Sequence, residues 1–117
     1  MLGNCVDNVR KTAPLIHNIT NYVTVNDVAN IILACGASPI MSDEPLDVTE
    51  ITSICNGLNI NIGTLNARTI EGMLLAGKRS NELHHKVLLD PVGAGASALR
   101  TNTAVRPVSY THLRAHE

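Results

Sequence analysis

The sequence has no tryptophan and no phenylalanine, and two tyrosines bring aromatics to only 2% of its 117 residues. Any core must therefore be packed from Ile, Leu, Val, Ala and Met. That suits sheets covered by helices better than a sandwich leaning on aromatic pairs. The same shortage removes the platforms on which single-stranded bases stack. Neither charge sign is in clear excess: nine Lys and Arg are scattered against ten Asp and Glu, for a net charge of −1. A phosphate backbone needs a basic stripe, so no nucleic-acid partner is expected. Long apolar runs are missing too, and the opening MLGNCVDNVRK lacks the apolar centre of a signal peptide. No membrane association is expected, and a soluble, cytoplasmic protein follows. Cys5, Cys35 and Cys55 form no CxxC pair, which argues against a disulfide framework or a zinc knuckle. Cys35 and Cys55 lie in apolar helical stretches and are expected to be small buried hydrophobes.

What is present suits one compact domain or a piece of a larger one, with 44% hydrophobic and 16% charged residues. The first ten residues or so read as a short helix stopped before Pro14. Pro14 to Ile19 read as a strand. Val25, Val28, Ala29, Ile32 and Cys35 recur at helical spacing, and Gly36 supplies a stop. Ser38 to Met41 make a short strand. Asp47 with Glu50 has the spacing of a capping box, opening a helix that Gly57 ends. Leu58 to Ile62 alternate apolar and polar as a strand does. A longer helix from about Asn66 to Leu83 sets Ile70, Met73, Leu74 and Gly77 on one face, with His84 and His85 facing solvent at its end. Lys86 to Asp90 form a last strand, apolar at Val87, Leu88 and Leu89.

Strand and helix thus alternate with short connections, which predicts an α/β fold: a mainly parallel sheet flanked by helices. In such sheets ligands gather at the carboxyl ends of the strands. The stretches His17 to Asn21, Met41 to Glu44, Asn61 to Thr64 and Asp90 to Ala96 lie there, and they are the chemically richest of the chain. In Asp90-Pro91-Val92-Gly93-Ala94-Gly95-Ala96, two glycines allow backbone N–H groups to approach an anion. Asp90 at the strand tip is suited to hold Mg²⁺ through water or to orient a hydroxyl. A plain strand-to-helix turn, with Asp90 capping the loop's own amides, explains the loop equally well. A dinucleotide-binding module is a third reading, through Gly93 to Ala98 as a GxGxxA fingerprint. Against it, that fingerprint normally follows the first strand. No Walker A pattern occurs.

Four runs together carry a resemblance: His17-Asn18-Ile19-Thr20-Asn21-Tyr22-Val23-Thr24, Gly36-Ala37-Ser38-Pro39-Ile40-Met41, Asn61-Ile62-Gly63-Thr64-Leu65, and Asp90 to Ala96. In this order and spacing the sequence resembles the hydroxyethylthiazole kinases, of the ribokinase-like superfamily, from about Thr12 to Ala104. The resemblance implies ATP-dependent, Mg²⁺-assisted phosphorylation of 4-methyl-5-(2-hydroxyethyl)thiazole in thiamine salvage. It also implies a homotrimer with active sites between subunits. It places Asn21, Val23 and Met41 at the thiazole. Asn61, Gly63, Thr64, Gly93 and Gly95 fall on the ATP and phosphate side, and Asp90 supports phosphates and metal. Another ribokinase-like kinase is the runner-up, and the HNITN and GASPIM runs at substrate positions argue against it.

Residues 105–117 match nothing in the resemblance. The expected division is residues 1–104 as the amino-terminal part of a kinase domain and 105–117 as a foreign tail. On this reading the ribokinase-like fold is incomplete and the catalytic base lies in a missing segment. The sheet is then left with an apolar edge, and the chain is inactive alone. His112 and His116 have the spacing of a metal pair but no third ligand, and an incidental pairing is expected.

Overall fold

Pro14 and Gly36 punctuate the first third of the chain as their backbone chemistry requires. The computed structural model describes residues 2–110 and 114–115, and side chains through residue 106; His112 and His116 lie outside the described residues. Helix α1 (Leu2–Thr12) stops ahead of Pro14, and β1 (Leu15–Ile19) follows. Helix α2 (Val25–Ala34) runs into Gly36, whose φ of +97° costs a glycine little. A Cβ at Gly36 would also stand 2.7 Å from Cγ of Arg10, so the position admits the end of α1. Strand β2 is Ser38–Met41, helix α3 Val48–Ile54, β3 Gly57–Asn61 and α4 Ala67–Glu82. Strand β4 is Lys86–Asp90. Two further elements, α5 (Ala98–Tyr110) and the two-residue β5 (Arg114–Ala115), lie beyond those the sequence pattern suggested. Helix α5 passes Ala104 without a break.

All strands are parallel, in the order β2-β1-β3-β4-β5, so the α/β expectation holds. A right-handed crossover that moves from β1 out to β2 places its helix on one face, and those moving the other way place theirs opposite. Thus α3, α4 and α5 share one face, where Ile19, Leu58, Ile60, Val87 and Leu89 pack against Val48, Met73 and Ala76. Helix α2 lies on the other face and packs on β2 at the sheet's edge. Helix α4 is well begun: Asn66 accepts from the backbone of Thr69, and the Thr69 hydroxyl accepts from the backbone of Asn66. Gly72 lets α4 approach the chain after β2, since a Cβ there would lie 2.6 Å from the carbonyl oxygen of Asp43.

Several local expectations change. Asp47 occupies the N-cap of α3 but makes no capping bond; its carboxylate accepts from the Ser42 hydroxyl instead. Gly57 opens β3 rather than ending α3, because Cys55 already turns the chain to extended geometry. Cys55 is buried as expected, but Cys35 is exposed. It stands past the end of α2, a helix with half-buried Val25, Val28, Ala29 and Ile32 and no fully buried residue. Leu88 is 43% exposed because its face of β4 carries no helix. His84 faces solvent, whereas His85 is half-buried and its Nδ1 is enclosed without a partner.

Candidate functional site at the carboxyl edge of the sheet

The strand order reverses at β1, whose two outgoing neighbours lie on opposite sides of it. In a sheet ordered this way the crevice between β1 and β3 is the favoured place for a ligand. Parallel strands deliver their carboxyl ends to one edge, so Asn21, Met41, Asn61, Gly63, Thr64 and Asp90 all emerge there. The structure links most of them directly. Asn21 Nδ2 donates to Asn61 Oδ1 at 3.0 Å, and Asn61 Nδ2 donates to Asp90 Oδ2 at 3.1 Å. The backbone N–H of Gly63 donates to Asn61 Oδ1 at 2.8 Å, and that of Tyr22 donates to the Thr64 hydroxyl at 3.2 Å. Asn21 Oδ1 accepts from both the backbone and the hydroxyl of Thr24. Every amide in this ladder therefore has its oxygen on a donor and its nitrogen on an acceptor. Such a network holds three loop exits in one geometry.

Gly63 is hemmed in at its centre. A Cβ there would stand 2.9 Å from Asn21 Cβ and from Asn61 Oδ1. The need at this position is space.

Met41, 36% exposed, lines a cavity of about 140 Å³ together with Asn18, Thr20, Tyr22, Val25 and Ser42. The Thr20 hydroxyl, which sequence reasoning passed over, is enclosed with no partner of its own. A buried unpaired hydroxyl costs free energy and calls for an explanation in function. Asn21 is committed to the ladder and does not line this cavity, and Val23 is 88% exposed and also outside it.

Behind the cavity His17 is fully buried. Its Nε2 lies 2.8 Å from the Ser42 carbonyl, which can only accept, so Nε2 carries the proton. Nδ1 is then the acceptor for the Thr52 hydroxyl at 2.9 Å. Desolvation pushes its pKa below the usual 6.5, against smaller upward pulls from the Ser42 carbonyl and the Asp47 charge. The ring is neutral and positions the exit of β2.

The glycine loop is less open than its sequence suggests. The N–H of Ala94 donates to the Pro91 carbonyl, that of Gly95 to the Thr101 hydroxyl and that of Ala96 to the Gly93 carbonyl. Asp90 does not cap these amides; it accepts from Asn61. Gly93 and Gly95 both have positive φ, +78° and +91°. Arg100, in the first turn of α5, reaches back to this loop and donates from Nη2 to the Gly63 carbonyl at 3.0 Å. No sequence signal marked Arg100, whereas Thr20 lay inside the HNITN run without being singled out.

Fold and edge together define a doubly wound α/β protein whose candidate site lies at the switch point of its sheet. A model of the hydroxyethylthiazole kinase family matches residues 6–115, and the chain belongs to that family. It is 65% identical to the hydroxyethylthiazole kinase of Clostridium acetobutylicum over 99% of this chain and 44% of that protein. To that of Ruminiclostridium cellulolyticum it is 63% identical, over 95% of this chain and 42% of that protein. The solved hydroxyethylthiazole kinase protein of Pyrococcus horikoshii OT3 superposes with a TM-score of 0.89 at 40% identity, covering 92% of this chain and 42% of that one. The chain thus spans a little under half the length of the relatives it matches. A GxGxxA dinucleotide site gains nothing from the structure, since the loop follows β4 and three of its amides are already bonded, two within the loop and one to Thr101 of α5.

Proposed function

We propose that this chain provides the thiazole-binding half of an ATP-dependent kinase acting on 4-methyl-5-(2-hydroxyethyl)thiazole. Family membership supports the reaction type, and the cavity beside Met41 is the observation that carries the substrate assignment. A void of about 150 Å³ is enough to hold one small aromatic ring, and this one measures about 140 Å³. Its thioether wall moulds to a flat, sulfur-containing ring, and the orphan Thr20 hydroxyl offers the hydrogen bond that would orient it. Val23 and Asn21 act around this cavity: Asn21 fixes the loop after β1, and Val23 offers an exposed apolar side chain to a cover supplied from elsewhere.

Asn61, Gly63, Thr64, Gly93 and Gly95 form the phosphate side. Asp90 is the only carboxylate on the amide ladder, and no cluster of three metal-ligating side chains exists among the described residues. One carboxylate suits Mg²⁺, which is normally held by one or two protein oxygens with water and substrate phosphates. Bound there, the ion would neutralise charge on the transferred phosphate. Asp90 would supply its protein ligand through water, and the Asn61 amide fixes the orientation of that carboxylate. Assembly as a homotrimer with shared active sites, and a cytoplasmic location, complete the proposal; no helix among the described residues is long and apolar enough to cross a membrane.

The test is a hybrid joining this chain to the remaining carboxy-terminal part of the clostridial relative. Met41→Ala should raise the KM for the thiazole alcohol about tenfold, equivalent to ~1.4 kcal/mol of lost binding, with the KM for ATP within twofold. Equal losses in both would remove Met41 from the pocket. Asp90→Asn should lower kcat far more than it alters thiazole binding; unchanged turnover would take Asp90 out of the reaction.

A further inference from the structure

We propose that Arg100 is a phosphate-binding cation of this site, a role that rests on the kinase reading above. The backbone of the glycine loop is largely spent, with the amides of Ala94, Gly95 and Ala96 bonded to Pro91, Thr101 and Gly93. Positive charge for a polyphosphate must therefore come mainly from a side chain. In the first turns of the helices that start at the carboxyl edge there are two cationic side chains, Arg68 at the head of α4 and Arg100 at the head of α5. Arg68 is paired with Glu44. Arg100 has no carboxylate partner among the described residues.

Its placement is specific. Arg100 is half-buried, and Nη2 is tied to the Gly63 carbonyl at 3.0 Å. Nη1 and Cδ fill the space a side chain at Gly93 would need, for a Cβ there would come within 2.5 Å and 3.0 Å of them. Gly93 thus has a second reason to be glycine besides its φ of +78°. The guanidinium spans the gap between the exit of β3 and the loop after β4. One of its five N–H donors is used on Gly63, and the others remain for an anion. A guanidinium fixed in this way binds phosphate oxygens with little further loss of side-chain freedom. Gly63 is in turn held by Asn61, so the cation is built onto the same ladder that orients Asp90. Carboxylate and guanidinium then address one polyphosphate from neighbouring strand tips.

Two measurements test this. Inorganic tripolyphosphate is titrated into the 117-residue chain and its Arg100→Gln and Arg100→Lys variants, each checked for folding by circular dichroism. Loss of one charge-assisted contact should weaken binding about tenfold or more in Arg100→Gln, with partial recovery in Arg100→Lys. In the hybrid kinase the KM for ATP should rise by a similar factor in Arg100→Gln while the KM for the thiazole alcohol stays within twofold. Absence of tripolyphosphate binding by the parent chain, or equal binding by parent and Arg100→Gln, overturns the proposal. So does a matched rise in both KM values, which would make Arg100 only a latch on Gly63. Should Arg100→Gln fail to fold, Arg100→Lys decides, because it keeps charge but loses the planar fork and must fall between parent and no binding. A parent hybrid without thiazole turnover sinks the kinase reading, while the tripolyphosphate titration still judges Arg100.

Discussion

The two faces of the sheet are built from the same strands yet differ in kind. On the face under α3, α4 and α5, Ile60 and Leu89 are almost wholly enclosed, and the one ionisable strand side chain, His17, has both ring nitrogens bonded. On the other face the same strands present Ile16, Asn18, Asn59, Asn61, Leu88 and Asp90. A groove of about 390 Å³ runs there between Ile16, Asn59, Lys86 and Leu88. Amides dominate this second face. Asn59 donates to Asn18 at 3.2 Å, and two residues further along the strands Asn61 bridges Asn21 and Asp90. One face therefore holds the fold together, and the other carries polar side chains in register toward the site. A side chain's alternation along a strand decides which task it has.

That contrast can be broken or sharpened by substitution. Ile60→Ala, on the covered face, should cost about 2–5 kcal/mol, enough to abolish cooperative unfolding in a chain this small. A mild shift of the urea midpoint would mean that α4 is not seated on β3. Asn61→Ala removes three hydrogen bonds at once and should cost about 1–3 kcal/mol for the partners left bare. It should also alter the amide resonances of Gly63 and Tyr22; a silent spectrum would refute the ladder.

A pH effect comes next. His17 is held neutral in the fold with its pKa pushed below 6.5, whereas the unfolded chain takes up a proton near that value. The unfolded state thus binds more protons as pH falls below about 6.5, and stability must drop across that window and level off above it. Denaturation midpoints between pH 5 and pH 8 should show this slope, and His17→Asn should flatten it. A slope that persists in the variant would assign it to other groups. Smallest of all, Leu88→Ala on the open face should change stability by less than about 0.5 kcal/mol, as surface positions do. A core-sized loss would show that this face is covered in solution.

Much of the architecture was legible because it follows from local chemistry. Pro14 and Gly36 mark boundaries by backbone geometry alone, and the strands from Ser38 to Met41 and from Lys86 to Asp90 appear where the apolar pattern put them. Where local rules failed, something outside the element itself had intervened. Asp47 has the spacing to cap α3, yet its carboxylate goes to the Ser42 hydroxyl. Cys35 sits on an apolar repeat, yet emerges because α2 covers only the edge of the sheet. Arg100 carried no motif, and its proximity to Gly63 depends on how α5 returns along β4.

The sequence by itself determined the alternation of strand and helix, the collection of Asn21, Met41, Asn61 and Asp90 at strand ends, and the family. The first two are consequences of periodicity and turn chemistry, which act over a few residues; the family rests on the resemblance of four motifs in order. Only the tertiary structure decided that Asn61 would be shared by Asn21, Gly63 and Asp90, and that three amides of the glycine loop would be taken up by the loop itself and by Thr101 of α5. It likewise decided which face of the sheet α3, α4 and α5 would cover. Hydrogen-bond partners 41 residues apart, as Asn18 and Asn59 are, meet because parallel strands stack in a register that no short stretch of chain encodes.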